Sequence, residues 1–183
     1  ERARDELPQS GSGRTIMTAE PKFVPEDAVR IRLSDDTTCI VRLVDCVGYM
    51  VQGASGRFED GSERLVTTPW FDHEVTMTEA AESGTRKVIC DHSTIGLVIT
   101  TDGSICDIDR ESYIEPERRV VSELKSIGKP FVILLNSAQP DSERAIELER
   151  QLADEYEAPC IRVNCQTLTE GDICEIMRKV LGQ

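Results

Sequence analysis

Phe131-Val132-Ile133-Leu134-Leu135, running into Asn136-Ser137, is an unbroken apolar stretch that ends on two small polar residues. A short apolar run of this kind predicts a strand buried on both faces. Just upstream, Gly128 and Pro130 close a helix whose Val120, Val121, Leu124 and Ile127 share one face. Pro116 is expected in the first turn of that helix, where a missing N–H does no harm. Before it, Ile95-Gly96-Leu97-Val98-Ile99-Thr100 predicts another buried strand. Downstream, Ala145, Leu148, Leu152 and Tyr156 mark a helix, and Cys160-Ile161-Arg162-Val163 a third strand. Thr169 caps a last helix, with Asp172 as its capping-box partner and Ile173, Ile176, Met177, Val180 and Leu181 as its apolar stripe. The order β-α-β-α-β-α predicts parallel strands joined by crossover helices.

The front half reads differently. Ala28–Leu33 and Thr38–Asp45 alternate apolar and polar residues around Ser34-Asp35-Asp36, which predicts an antiparallel hairpin. Glu1–Leu7 has the look of a helix end, broken by Pro8, Gly11 and Gly13. Thr15–Pro25 is expected as an extended loop and Gly48–Ser62 as a Gly-rich one. Thr78–Ile89 is expected as a helix that Gly84 weakens.

With 183 residues and a 39% hydrophobic fraction, one α/β domain can build a core. Aromatics are only 4%, so Val, Ile and Leu must fill it. A net charge of −13 repels nucleic acid and anionic lipid. No apolar run approaches the roughly 20 residues that span a bilayer, and no signal peptide opens the chain. The seven cysteines have no framework spacing, which predicts reduced, buried thiols. Two histidines and no C-x-x-C pair argue against a zinc site at Cys90-Asp91-His92 or Asp72-His73. Trp70-Phe71 is expected in local packing, and Cys46 as a strand thiol rather than a nucleophile.

Four short signals carry chemistry. Val44-Asp45-Cys46-Val47-Gly48 ends an apolar strand in Asp, with Gly three positions on. In P-loop NTPases such an Asp holds magnesium, usually through water, and such a Gly brings its N–H to the γ-phosphate. Thr18, in the extended loop ahead of the hairpin, stands where related GTPases place a threonine that reaches magnesium and senses the γ-phosphate. Asn136 ends a buried strand, as in the Asn-Lys-x-Asp motif that reads guanine, but Ser137 replaces the Lys and Gln139 the Asp. Losing that carboxylate favours ATP over GTP, or weak discrimination between the bases. Asn164 ends the last strand, beside the expected place of the base. Each signal alone is also what a strand-ending Asp, an ordinary loop threonine or a strand-capping Asn would give.

Their order is that of a Ras-like P-loop NTPase. This predicts a three-layer α/β sandwich, with a mostly parallel sheet and one antiparallel hairpin strand. The chain divides into a switch I-like region (1–27), the hairpin with the Walker B and switch II segment (28–62), a helical insert (63–93) and β-α units (94–183). No G-x-x-x-x-G-K-[ST] occurs, and Gly11-Ser12-Gly13-Arg14-Thr15 is a decoy, with Pro8 where the first glycine belongs. The first strand and P-loop are therefore expected upstream of Glu1. Without that central strand, the sheet is expected to be weakened or rearranged.

Long blocks add a more specific signal. Glu1–Ser10, Thr15–Thr18, Val44–Val51, Thr68–Glu74 and Asp91–Gly96 closely resemble the stage IV sporulation protein A family of spore-coat morphogenetic ATPases. The resemblance implies an ATP-hydrolysing domain on a GTPase-like fold, using ATP and Mg2+. It implies Asp45 as the Walker B aspartate and Thr18 as the sensor threonine, with Ala19 where a second threonine often stands. Asn136, Ser137 and Asn164 would border the nucleotide. It further implies self-assembly into the basement layer of the coat, in the mother-cell cytoplasm at the outer forespore membrane. Implied partners are other coat morphogenetic proteins and a small forespore membrane anchor protein, met through regions outside this segment. No nucleic acid and no direct membrane insertion are expected. Two other readings stay open: a Ras-like GTPase switch, and a structural polymer subunit with a vestigial site.

Overall fold

A computed structural model describes residues 23–46, 48–53, 58–59, 61–68 and 70–182; for 23–26 and 59 it describes the backbone alone. Thr18, the helix end at Glu1–Leu7 and most of the Thr15–Pro25 loop lie outside the described residues. The chain divides into two compact units, one of residues 1–31 and 38–93 and one of 32–37 and 94–183.

In the first unit, β1 (Phe23–Arg32) and β2 (Thr38–Val44) form the expected two-stranded hairpin. β1 begins earlier than the alternation suggests and takes in Pro25. A two-stranded ribbon has edge positions where a residue without an N–H is tolerated. Two very short antiparallel pairs follow, β3 (Phe58–Glu59) with β4 (Ser62–Glu63), and β5 (Leu65–Val66) with β6 (Val75–Thr76). The Gly48–Ser62 segment is thus not wholly loop. Helix α1 (Met77–Lys87) starts from a capping box. The Thr76 hydroxyl accepts from Glu79 N at 3.2 Å, and the Glu79 carboxylate accepts from Thr76 N at 3.1 Å. Such a cap stabilises by about 1 kcal/mol. α1 runs into a single π-helical turn, Val88–His92. Val66, Val75, Met77 and Ala80 form the core here, with Met50 and Phe71 packed on it. Phe71 meets His73 edge-on, and the Lys87 ammonium sits 5.9 Å from the Trp70 ring centre, so the aromatic pair serves local packing.

In the second unit, β7 (Gly96–Thr101), β8 (Phe131–Asn136) and β9 (Cys160–Val163) form a parallel sheet in the order β7-β8-β9. The crossovers are α2 (Glu111–Ser126) and α3 (Glu143–Tyr156), and α4 (Glu170–Leu181) follows β9. Register decides the layers, because in-register partners of a parallel pair point to the same face. Val132 and Leu134 of β8 share a face with Ile161 and Val163 of β9, and Ile176 and Val180 of α4 pack on it. α2 lies on the opposite face: a Cβ added at Gly96 would stand 3.1 Å from the Leu124 side chain and from Phe131. Glycine is what lets that helix approach. With helices on both faces, the sheet is the middle of the expected three layers.

α4 covers β8 and β9 but not β7. Leu97 and Ile99, in register with Val132 and Leu134, stay 39% and 61% exposed. No strand among the described residues pairs with the other edge of β7. The turn Arg32–Thr37 belongs to this unit: Leu33 is buried, and its carbonyl accepts from Arg178 Nε at 3.0 Å.

Three local expectations need correction. α2 begins at Glu111, so Pro116 sits inside the helix, not in its first turn. The helix starts with tight turns, Ser112 N to Asp109 O and Tyr113 N to Arg110 O, so it is already nucleated when the chain reaches the proline. The buried stripe of α4 is Cys174, Ile176, Met177 and Val180, leaving Ile173 and Leu181 exposed. Of the cysteines, only Cys160 and Cys174 are buried, while Cys90 and Cys106 are exposed; all seven are free thiols.

α3 ends at Glu157, a non-glycine residue in the left-handed region, with φ 45° and ψ 43°. Its one ion pair among the described residues is a 3.9 Å contact with Lys125, largely exposed and worth little. Glu157→Gly should therefore stabilise the protein by about 1 kcal/mol. The check is a higher urea midpoint at unchanged slope; an unmoved or lower midpoint would count against it.

Candidate functional site

The sequence-derived site residues fall in both units. In the first, Asp45 follows directly on β2 and its carboxylate is exposed. Magnesium bound with a nucleotide takes one or two protein oxygens, and phosphates and waters complete its shell. A single exposed carboxylate at a strand end suits that mode. An all-protein cage does not fit: no group of three or more potential ligands occurs among the described residues. Cys90 is exposed, on the π-helical turn that also holds Asp91 and His92. Asp72 is paired with its neighbour His73 at 2.8 Å.

Gly48 has φ 79°, a conformation that glycine adopts without strain. Its N–H donates to the Thr85 hydroxyl of α1 at 2.9 Å. Thr85 is 1% exposed, so this contact pins the Asp-x-x-Gly turn to a buried anchor. Burial pushes the Cys46 thiol up, and the adjacent Asp45 charge adds to this, while Thr85 and Gly48 pull the other way. A raised thiol is a poor nucleophile at neutral pH, in keeping with a strand-end packing role.

The second unit gathers Asn136, Ser137 and Asn164 at the carboxyl ends of its strands. That is where open parallel sheets bind ligands. Asn136 closes β8 in register with Val163, and its Oδ1 accepts from Cys165 N at 2.9 Å, tying the β8 end to the β9 loop. Asn164 Oδ1 accepts from Gln166 N at 3.0 Å, which shapes that loop. Both side chains are half-buried, and neither amide nitrogen has a partner among the described residues. Two amide donors thus remain at one rim.

Ser137 is placed otherwise. It is 0% exposed. Its N–H donates to Val163 O at 2.9 Å, its hydroxyl donates to Asp102 Oδ2 at 2.7 Å, and the same oxygen accepts from Gln139 N at 3.0 Å. Its polar atoms are committed to holding loops.

Asp102 is the residue that sequence reading passes over. It follows β7 directly and is 4% exposed. Oδ1 accepts from the N–H and the hydroxyl of Ser104, and the Asp102 carbonyl accepts from Arg144 Nη2 at 3.0 Å. The Ser104 oxygen in turn accepts from Ala138 N at 2.9 Å. Burial works to raise the Asp102 pKa, yet the Ser104 and Ser137 hydroxyls, the Ser104 N–H and the Arg144 charge together hold it below the usual value. The sign follows: the contribution is full above the ordinary carboxylate pKa near 4, and is lost as pH falls through the lower folded value. The signal in sequence was Thr100-Thr101-Asp102-Gly103-Ser104, an acid followed by glycine directly after an apolar strand.

A second buried polar group lies on the α2 face. Glu117 Oε1 accepts from Arg110 Nη2 at 2.9 Å and from the Tyr156 hydroxyl at 2.7 Å. Glu117 Oε2 is buried without a hydrogen-bond partner. Burial first, then Glu117, pushes the Tyr156 hydroxyl up, so it stays a donor.

Comparison with known proteins identifies a family. The family model for the stage IV sporulation protein A ATPase domain matches residues 1–183. Stage IV sporulation protein A from Clostridioides difficile (strain 630) is 54% identical over 181 residues, covering 99% of this chain. The proteins of that name from Bacillus anthracis and Bacillus subtilis (strain 168) are 50% and 48% identical, over 99% and 98% of the chain. The chain spans 37% of the length of each of these relatives. No solved structure matches. No helix among the described residues is long and apolar enough to cross a membrane. The family model, matching residues 1–183, and these relatives show the family: the chain belongs to the stage IV sporulation protein A family and carries its ATPase domain.

Proposed function

We propose that this domain binds and hydrolyses ATP within a longer protein, and that turnover drives self-assembly into the basement layer of the spore coat. Magnesium, when bound with ATP, would neutralise charge on the β- and γ-phosphates. Asp45, directly after β2, would orient that ion. Thr18 senses the γ-phosphate. Gly48 begins the segment that couples turnover to assembly, by exchanging its Thr85 contact for the phosphate. Asn136 and Asn164 present their amides toward the base, and Ser137 holds their loop from behind.

The observation that carries the choice of ATP is the base loop. Ser137 and Gln139 stand where a guanine reader has Lys and Asp, and the Ser137 hydroxyl is turned inward to Asp102. A site without that carboxylate loses its hydrogen bonds to the guanine edge, and unpaired polar edges are strongly discriminated against. In the full-length protein, ATP should be hydrolysed at least about tenfold more efficiently than GTP. Equal turnover, or a preference for GTP, would return the domain to the GTPase-switch reading.

The partners that go with this reading are further copies of the chain, other coat morphogenetic proteins and a small forespore membrane anchor protein. The site of action is the mother-cell side of the outer forespore membrane, without nucleic acid and without insertion of this domain into the bilayer. One observation favours a second reading, a structural subunit with a vestigial site: the Gly48 N–H is already satisfied by Thr85. Assembly that proceeds equally well without nucleotide would support it.

A further inference from the structure

The ends of β7 and β8 are joined by a closed set of hydrogen bonds, with Asp102 at its centre. From β7 come the Asp102 carboxylate and the Ser104 N–H and hydroxyl. From β8 come the Ser137 hydroxyl, at 2.7 Å, and the Ala138 N–H, which reaches Ser104 at 2.9 Å. Gln139 N closes the set on Ser137 at 3.0 Å. Arg144, from the first turn of α3, holds the Asp102 carbonyl. Every N–H from Ser137 to Gln139 thus has a defined acceptor. The loop backbone is therefore tied at each of these three N–H groups, although Ala138 and Gln139 are exposed.

What the network positions is Asn136. Its Oδ1 is tied to Cys165 N, and its half-buried amide nitrogen has no partner among the described residues. Any rotation of the Ser137–Gln139 backbone would swing this group, because Asn136 is the residue from which the loop departs. A buried carboxylate accepting several hydrogen bonds is a stiff anchor, since charged acceptors make short, strong bonds. The arrangement is that of a group held in place by a shell behind it, where a small misplacement weakens binding out of proportion.

We propose that Asp102 is the positioning residue for recognition of the nucleotide base: together with Ser137 and Ser104 it locks the Asn136–Gln139 loop that contacts the purine. This rests on the nucleotide reading above. Asp102 touches neither phosphate nor base in this assignment; it acts through Asn136. The network belongs to binding and not to the phosphate chemistry, so it makes a prediction that a general folding role does not.

The experiment uses full-length protein and ATP, with Asp102→Asn, Ser137→Ala and the double variant. Asp102→Asn should raise KM and the Kd for ATP about tenfold, the value of one hydrogen bond to a charged group, with kcat within about twofold. Ser137→Ala should do the same, and the double variant should be no worse than either, because both break one shared network. Ser137→Ala removes a single oxygen, so it carries the test if Asp102→Asn fails to fold. Unchanged affinity, losses confined to kcat, or fully additive losses would overturn the assignment while wild-type ATP binding stands. Absence of ATP binding by the wild type would overturn the nucleotide reading, and this assignment with it.

Discussion

Asp45→Asn in the full-length protein is expected to lower ATP turnover by about a hundredfold or more, the scale at which removing one preorganised electrostatic contact acts. The substitution keeps the size of an exposed side chain that follows directly on β2, so the hairpin should form as before. What is lost is the negative oxygen that orients the magnesium shell. The deficit should therefore respond to metal: more Mg2+ should be needed for half-maximal phosphate release, while ATP affinity falls much less. Steady-state phosphate release across a magnesium titration gives both quantities. Turnover within about threefold of wild type would remove Asp45 from the mechanism.

The largest stability effect is expected at Glu117, far in sequence from any nucleotide motif. Its side chain is 2% exposed and that of its partner Arg110 10%. Removing one member of a buried ion pair leaves the other charge without compensation. Glu117→Leu should therefore destabilise by about 3–5 kcal/mol. The Tyr156 hydroxyl loses its acceptor at the same time. The wild-type arrangement is itself imperfect, because Glu117 Oε2 is buried and unbonded. Such an atom costs about 1–3 kcal/mol. It follows that a coordinated change, Arg110→Met with Glu117→Leu and Tyr156→Phe, should be far milder than the single substitution. Urea unfolding of the two variants decides the matter. A single variant within about 1 kcal/mol of wild type, or a triple variant worse than the single, would contradict the argument.

Glu117 and Asp102 show what a sequence hides. The parallel strands, their crossover helices and the Thr169–Asp172 capping box were legible because the signals are local: an apolar run, a period, a cap three residues from its partner. The positions of Asp45, Asn136 and Asn164 were legible for the same reason, each standing at or directly after the end of a readable strand. Asp102 reads as an ordinary turn acid, because Ser137, the partner that makes its burial tolerable, is 35 positions away. Glu117 lies in Glu115-Pro116-Glu117-Arg118-Arg119, which looks like a solvated helix face; its partner Tyr156 is 39 positions on. Ser137 was read as facing the nucleotide because its slot in the motif does. The hydroxyl turns inward because a short side chain cannot reach outward and Asp102 lies within its range. The Pro116 expectation erred in physics: a proline forbids one hydrogen bond, not the turns before it.

The half-covered β7 has a consequence for how this sheet comes to exist. β8 is paired on both edges, and Val132, Ile133, Leu134 and Leu135 are each at most 3% exposed. β8, β9 and the helices beside them are near neighbours along the chain, so little loop entropy opposes their meeting. Assembly would start there and grow outward, with β7 joining through its one paired edge. β7 would be the last strand to join, and its Leu97 and Ile99 stay 39% and 61% exposed even then. Such a late surface is where a folding chain is most exposed to association with its neighbours. How quickly β7 pairs with β8 would then set the yield of folded protein, more than the stability of the core beside it.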